Sequence, residues 1–117
     1  MIEKLARSEG KTIGFAVSGV VDKDDYEVLV PAVRAVVEEH GSVNLLCDLT
    51  GFRWEKADAW GTDLDFGRDY KHATTRMAVV GDSAFGHLLA VLALPFYAQE
   101  VEYFSDVDAA WAWVSAG

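Results

Sequence analysis

Apolar and polar positions alternate weakly over Ile2–Arg7 and cleanly over Thr12–Ser18. In the second stretch Ile13, Phe15 and Val17 point one way, and Gly14, Ala16 and Ser18 the other, which is the period of a strand. Glu9-Gly10-Lys11 between them is turn sequence, so the two strands are predicted to be antiparallel neighbours. Gly19-Val20-Val21 then leads to Asp22, and the period changes. Tyr26, Leu29, Val30, Val33, Val36 and Val37 share one helical face, with Glu27, Arg34, Glu38 and Glu39 on the other. Asp22 is placed to cap that helix, and Asp25 favours the positive end of its dipole. His40-Gly41 supplies the stop. Pro31 falls inside the pattern, where it costs stability unless it lies in the first turns or at a kink.

Val43–Leu49 is nearly continuous apolar, as in a strand covered on both faces. Thr50–Trp54 reads as loop. A helix is expected from about Ala57 to Lys71, with Trp60, Leu64 and Gly67 on one stripe and Phe66 and Tyr70 on a second. Its Gly61 and Gly67 weaken it. Arg76–Val80 reads as a further core strand. Asp82 or Ser83 is placed to cap a helix from Ala84 to about Ala98 that is apolar almost all round. That run is too short to cross a bilayer, which takes about 20 residues. Glu100–Phe104 reads as the last strand. Ser105 with Asp108 resembles a capping box. Val107, Ala110, Trp111 and Val114 are spaced to dock a final short helix.

At 117 residues the chain suits one domain, expected to span 1–117 without linker or repeat. The net charge of −9 repels phosphate backbones and anionic headgroups. Nucleic acid and stable membrane insertion are therefore excluded as expectations. The one cysteine, Cys47, cannot form an internal disulfide or build a zinc site alone, and it stands in an apolar run as a small buried residue. Without an apolar stretch at Met1–Leu5, the cytoplasm is the expected compartment.

Parallel strands joined by helices gather their carboxyl-terminal loops on one edge, where α/β folds keep their chemistry. Asp48, Thr50, Asp82 and Ser83 are expected there, and with nearby helix starts they form a candidate small-ligand site. The competing reading makes Asp82 and Ser83 caps and gives Asp48 and Thr50 to an Asx-type turn. His40, His72 and His87 have no metal-ligand spacing, and Ser18 and Ser42 stand in no nucleophile context. Asp22, Asp24 and Asp25 imitate the acidic pair of a phosphoacceptor domain, but no lysine follows the Arg76–Val80 strand. No catalytic residue, metal site or cofactor is expected. The chain is read as not an enzyme.

Element order, length and several stretches together resemble the SpoIIAA-like family, small bacterial domains related to STAS domains. The stretches are Gly19–Pro31 (GVVDKDDYEVLVP), Leu45–Phe52 (LLCDLTGF), Ala59–Tyr70 (AWGTDLDFGRDY), Arg76–Asp82 (RMAVVGD) and the closing VEYFSDVDAAWAWV. The resemblance implies an α/β fold, a mixed and mostly parallel five-stranded sheet with helices on its faces, in the order β-β-α-β-α-β-α-β-α. It also implies a fold kinship with CRAL-TRIO lipid-binding domains. Anti-sigma antagonists of this kind carry a phosphorylatable serine at the helix start after the third strand. Here that stretch is Lys56-Ala57-Asp58-Ala59, without a hydroxyl, and Asp58 is a fixed charge there or simply an acidic residue at a helix start.

The aromatics leave a choice. Trp54, Trp60, Phe66, Tyr70, Phe96 and Tyr97 form core, a homodimer interface, or an apolar pocket for a hydrophobic molecule such as a lipid. The expected function is a non-enzymatic interaction or regulatory domain acting through protein contacts, tuned by a bound small molecule. The rival is a binding module for a lipid or other hydrophobic metabolite.

Overall fold

The computed structural model describes residues 1–55, 65–81 and 98–117, with backbone alone for 54 and 55. Strand β1 covers Ile2–Lys4 and β2 covers Thr12–Val21. A 3₁₀ turn at Lys23–Asp25 opens into helix α1, Tyr26–His40. Strand β3 is Val43–Glu55. A helical segment, α2, occupies residues 65–70. Strands β4 and β5 are Thr74–Val80 and Glu100–Phe104, and helix α3 is Val107–Ser115. The strands form one sheet in the order β1-β2-β3-β4-β5. Only β1 is antiparallel to its neighbour; β2 through β5 run parallel. This is the mixed, mostly parallel α/β sheet that the sequence predicts.

The expected Asp22 cap falls on the 3₁₀ turn that leads into α1 and not on α1 itself, whose own cap position, Asp25, makes no side-chain cap bond to the helix. Asp22 and Asp25 cap each other reciprocally: the Asp25 amide donates to Asp22 Oδ1 at 3.2 Å and the Asp22 amide to Asp25 Oδ2 at 2.9 Å. Gly41 ends the helix at φ 80°, a left-handed conformation that glycine adopts without a Cβ penalty. Pro31 sits within the helix with its side chain in solvent.

The two sheet faces carry separate cores. On one, Ile13, Phe15, Val17, Val43, Leu45 and Cys47 pack against Tyr26, Leu29 and Val33 of α1 and against Phe66 of α2. On the other, Leu46, Ala78 and Val80 pack against Ala110, Trp111 and Val114 of α3. Alternation along β3 explains the split, because successive side chains point to opposite faces. Both faces of that strand are covered over Val43–Cys47, so its sequence reads as continuous apolar.

Several expectations are corrected. β1 stops at Lys4 rather than Arg7, because the chain turns there: the Ser8 amide and hydroxyl both donate to the Leu5 carbonyl, at 3.1 and 2.7 Å. β3 does not end at Leu49. Thr50–Trp54 is strand and not loop, paired to β2 as far as Val21 opposite Glu55. The cap of α3 is Asp106 rather than Ser105; its carboxylate accepts from the amides of Asp108 and Ala109. Val107 is 38% exposed and does not dock the helix. The predicted Ala84–Ala98 helix lies outside the described residues apart from Ala98, which is buried.

Candidate functional site

Asp48 stands beside Ala16 of β2 and Val80 of β4, so the Asp48 position of β3 and the end of β4 are side by side. Beyond that rung β3 continues along β2, from Leu49 to Glu55. The β2–β3 ribbon therefore runs on past the last β3–β4 pairing. It does so irregularly. Ala16 faces Asp48 and Ser18 faces Gly51, so β3 carries one more residue than β2 between those rungs. The same happens again between Gly19, opposite Phe52, and Val20, opposite Trp54. Bulges of this kind bend a strand and re-aim its side chains, and they are uncommon between parallel strands. Gly19 meets the bend at φ 64°, a value costly for any residue with a Cβ.

The first bulge explains what Asp48 does. Displaced from the ladder, the Thr50 amide donates to Asp48 Oδ1 at 3.0 Å, and the Thr50 hydroxyl donates to the same oxygen at 2.7 Å. The half-buried carboxylate thus closes on its own strand in the Asx manner. Asp82 and Ser83, the other half of the predicted ligand site, lie outside the described residues. Gly81 is buried at the end of β4. Its amide donates to the Phe104 carbonyl at 3.0 Å, and a Cβ there would stand 3.2 Å from the Tyr103 hydroxyl oxygen.

The predicted aromatic set divides. Phe66 is buried in the α1-side core. Tyr70 packs on it with ring centroids 5.2 Å apart, and the Tyr70 hydroxyl accepts from Arg34 Nε at 3.4 Å. That hydroxyl raises the Arg34 pKa above its usual value. Trp54 pairs through its backbone with Val20, and its side chain is outside the described residues. Trp60, Phe96 and Tyr97 are outside them as well, as is Asp58. Cys47 is buried in the α1-side core. Among the described residues no group of histidine, cysteine and acidic side chains is arranged to hold a metal.

The opposite sheet face holds polar residues that the sequence reading did not single out. Asn44 is fully buried; its Nδ2 donates to the Gly117 carbonyl at 3.2 Å and to Thr12 Oγ1 at 3.5 Å. Arg76 donates to the Trp113 carbonyl at 2.7 Å, stacks over the Trp113 ring at 4.8 Å and pairs with Glu100 at 3.2 Å. Because α3 has no basic residue in its own last turn, Arg76 supplies the positive charge its dipole favours there. The signal that could have found this face is Gly14, a glycine within a strand, which marks close approach of another group.

The family model described as SpoIIAA-like matches residues 12–115, all but the ends of the chain. The chain belongs to the SpoIIAA-like family. No curated protein matches it. Among solved structures, the SpoIIAA-like chain resembles an uncharacterized protein of the DUF3478 family with a SpoIIAA-like fold, from Shewanella loihica PV-4. Identity is 22%, the TM-score is 0.80, and the match covers 97% of this chain and 92% of the other. At that identity the likeness shows the fold alone. No helix among the described residues is long and apolar enough to cross a membrane.

Proposed function

We propose that this SpoIIAA-like chain is a non-catalytic interaction domain of the STAS-like type, which works by contact at the carboxyl edge of its sheet. The observation that carries the reading is the β2–β3 ribbon running past β4, with Ser18, Val20, Thr50, Gly51 and Arg53 exposed along it. Val20, 49% exposed, is the apolar position on this ribbon that a docked partner would cover. Asp48 supports the same reading from the other side. Its Oδ1 accepts both Thr50 donors, so the carboxylate maintains a bulge and shapes the surface. The cytoplasm, a reducing compartment, suits the buried Cys47 thiol. A second copy of the chain is the first partner this reading names.

Light scattering of the purified chain at low and high micromolar concentration tests it. A dimer that Val20→Asp weakens by about tenfold or more, with unchanged circular dichroism, supports contact through the ribbon. A strict monomer throughout removes the second copy as partner. Native mass spectrometry on the same sample reads the rival directly, because a retained lipid would move the function to a hydrophobic ligand.

A further inference from the structure

We infer that α3 is a releasable cover, which lifts from the sheet as a unit while the α1 side stays folded. The two helices are built into the sheet differently. α1 connects β2 to β3, two strands paired with each other, and its apolar side chains share one core with both. It cannot leave without opening that core. α3 follows β5 and joins no two paired strands, so its release breaks no ladder hydrogen bond.

What α3 covers also differs. Beneath and beside it lie Thr12, Gly14, Asn44, Leu46, Arg76, Ala78 and Val80, of which Thr12, Asn44 and Arg76 are polar. Asn44 is the informative member. Its side chain is fully buried, and its Oδ1 has no donor among the described residues. A buried acceptor without a donor carries its whole desolvation penalty in the closed state. Water satisfies it once α3 is away, and it also solvates Thr12 and the Arg76 guanidinium. The closed state thus bears a cost at Asn44 Oδ1 that the open state lacks, and the bonds of Arg76 to the Trp113 carbonyl and of Asn44 Nδ2 to the Gly117 carbonyl work against opening. Opening α3 also wets Leu46, Ala78 and Val80, a smaller apolar set than Ile13, Phe15, Val33, Val43 and Leu45, which opening the α1 face would expose.

Hydrogen exchange of the full chain across a series of low urea concentrations tests the inference. After correction for intrinsic rates, amides of Ala110 to Val114 should exchange about tenfold or more faster than those of Leu45 to Cys47. Their rates should also depend less steeply on urea, since less surface is exposed. Arg76→Ala should speed exchange in α3 and leave that of Leu45 to Cys47 nearly unchanged. Equal rates and equal urea dependence in α3 and β3 would overturn the inference. So would an Arg76→Ala chain in which exchange of Leu45 to Cys47 rises as much as that of α3.

Discussion

The two faces of this sheet use opposite means to hold a helix. On the α1 side the contact is apolar and broad: Ile13, Phe15, Val33, Val43 and Leu45 are all buried to within 2% of completeness, and Val36, Val37 and Met77 pack at the margin. On the α3 side a smaller apolar centre is ringed by directed contacts. Trp111 fits over Gly14, Arg7 stacks over Trp111 at 5.4 Å, and Arg76 stacks over Trp113. Burial of apolar area is non-directional and tolerates small shifts. Stacked guanidinium groups and a glycine recess do not. The lesson is that the first face sets the stability of the fold and the second sets where α3 sits.

The sharpest way to break that comparison is a deletion at its apolar centre. Phe15 is fully buried, and Phe15→Ala should cost about 3–5 kcal/mol in chemical unfolding. The loss should appear equally at every amide that reports the sheet. A loss below about 1 kcal/mol would mean that the α1 face is not the dominant core.

Gly14→Ala probes the other face. An added Cβ would lie 2.5 Å from the Trp111 ring, a distance that forces something to move. The ring is buried and held by the Arg7 stack, so the expected cost is about 1–3 kcal/mol. Trp111 fluorescence and α3 exchange should register it before β3 does. An effect spread evenly over both faces would erase the distinction drawn between them.

Why some of this was legible in the sequence follows from the same contrast. Broad apolar faces leave a period. The spacing of Tyr26, Leu29 and Val33 gave α1, alternation gave the inner part of β2, and β5 is read at its observed limits. Directed contacts leave none. Nothing in the spacing distinguishes Arg76 at the end of α3 from an ordinary exposed arginine, and Asn44 is one polar residue in an apolar run. The length of β3 was hidden for a related reason. Thr50-Gly51 carries loop composition, but Asp48 satisfies the Thr50 amide that the bulge frees, and Gly19 takes the positive φ opposite. At the candidate site the Asx-type closure of Asp48 on Thr50 is legible from their spacing, whereas the bulge in which it sits depends on a register that only the paired strands reveal.

A smaller test sharpens the comparison at the entry to α1. Asp22→Ala removes the side chain that accepts from the Asp25 amide and leaves the reciprocal half of the box in place. Lost caps cost about 1 kcal/mol. Since α1 belongs to the main core, the midpoint of urea unfolding should fall with an unchanged slope. A change of slope would show that the amino end of α1 frays separately, which would bring the two faces closer in character.

The smallest expected effect is at Arg7, and its value lies in what salt does to it. Arg7 pairs with Asp108 at 2.8 Å, but both side chains are more than half exposed, so the ion pair alone is worth well under about 1 kcal/mol. The stack over Trp111 adds about 0.5–1 kcal/mol at an exposed site. Arg7→Ala loses both contacts. Arg7→Lys keeps the charge while losing the planar face and the fork of donors. Raising the salt screens the Asp108 pair far more than it screens a guanidinium lying against a ring. If stacking holds the helix, Arg7→Lys should resemble Arg7→Ala, and the difference from the unmodified chain should survive in high salt. If the ion pair holds it, Arg7→Lys should behave as the unmodified chain and the Arg7→Ala effect should vanish as salt is added. That second outcome would leave α3 held on this side by charge alone, and the claim that aromatic stacking fixes its position would reduce to the Arg76 end.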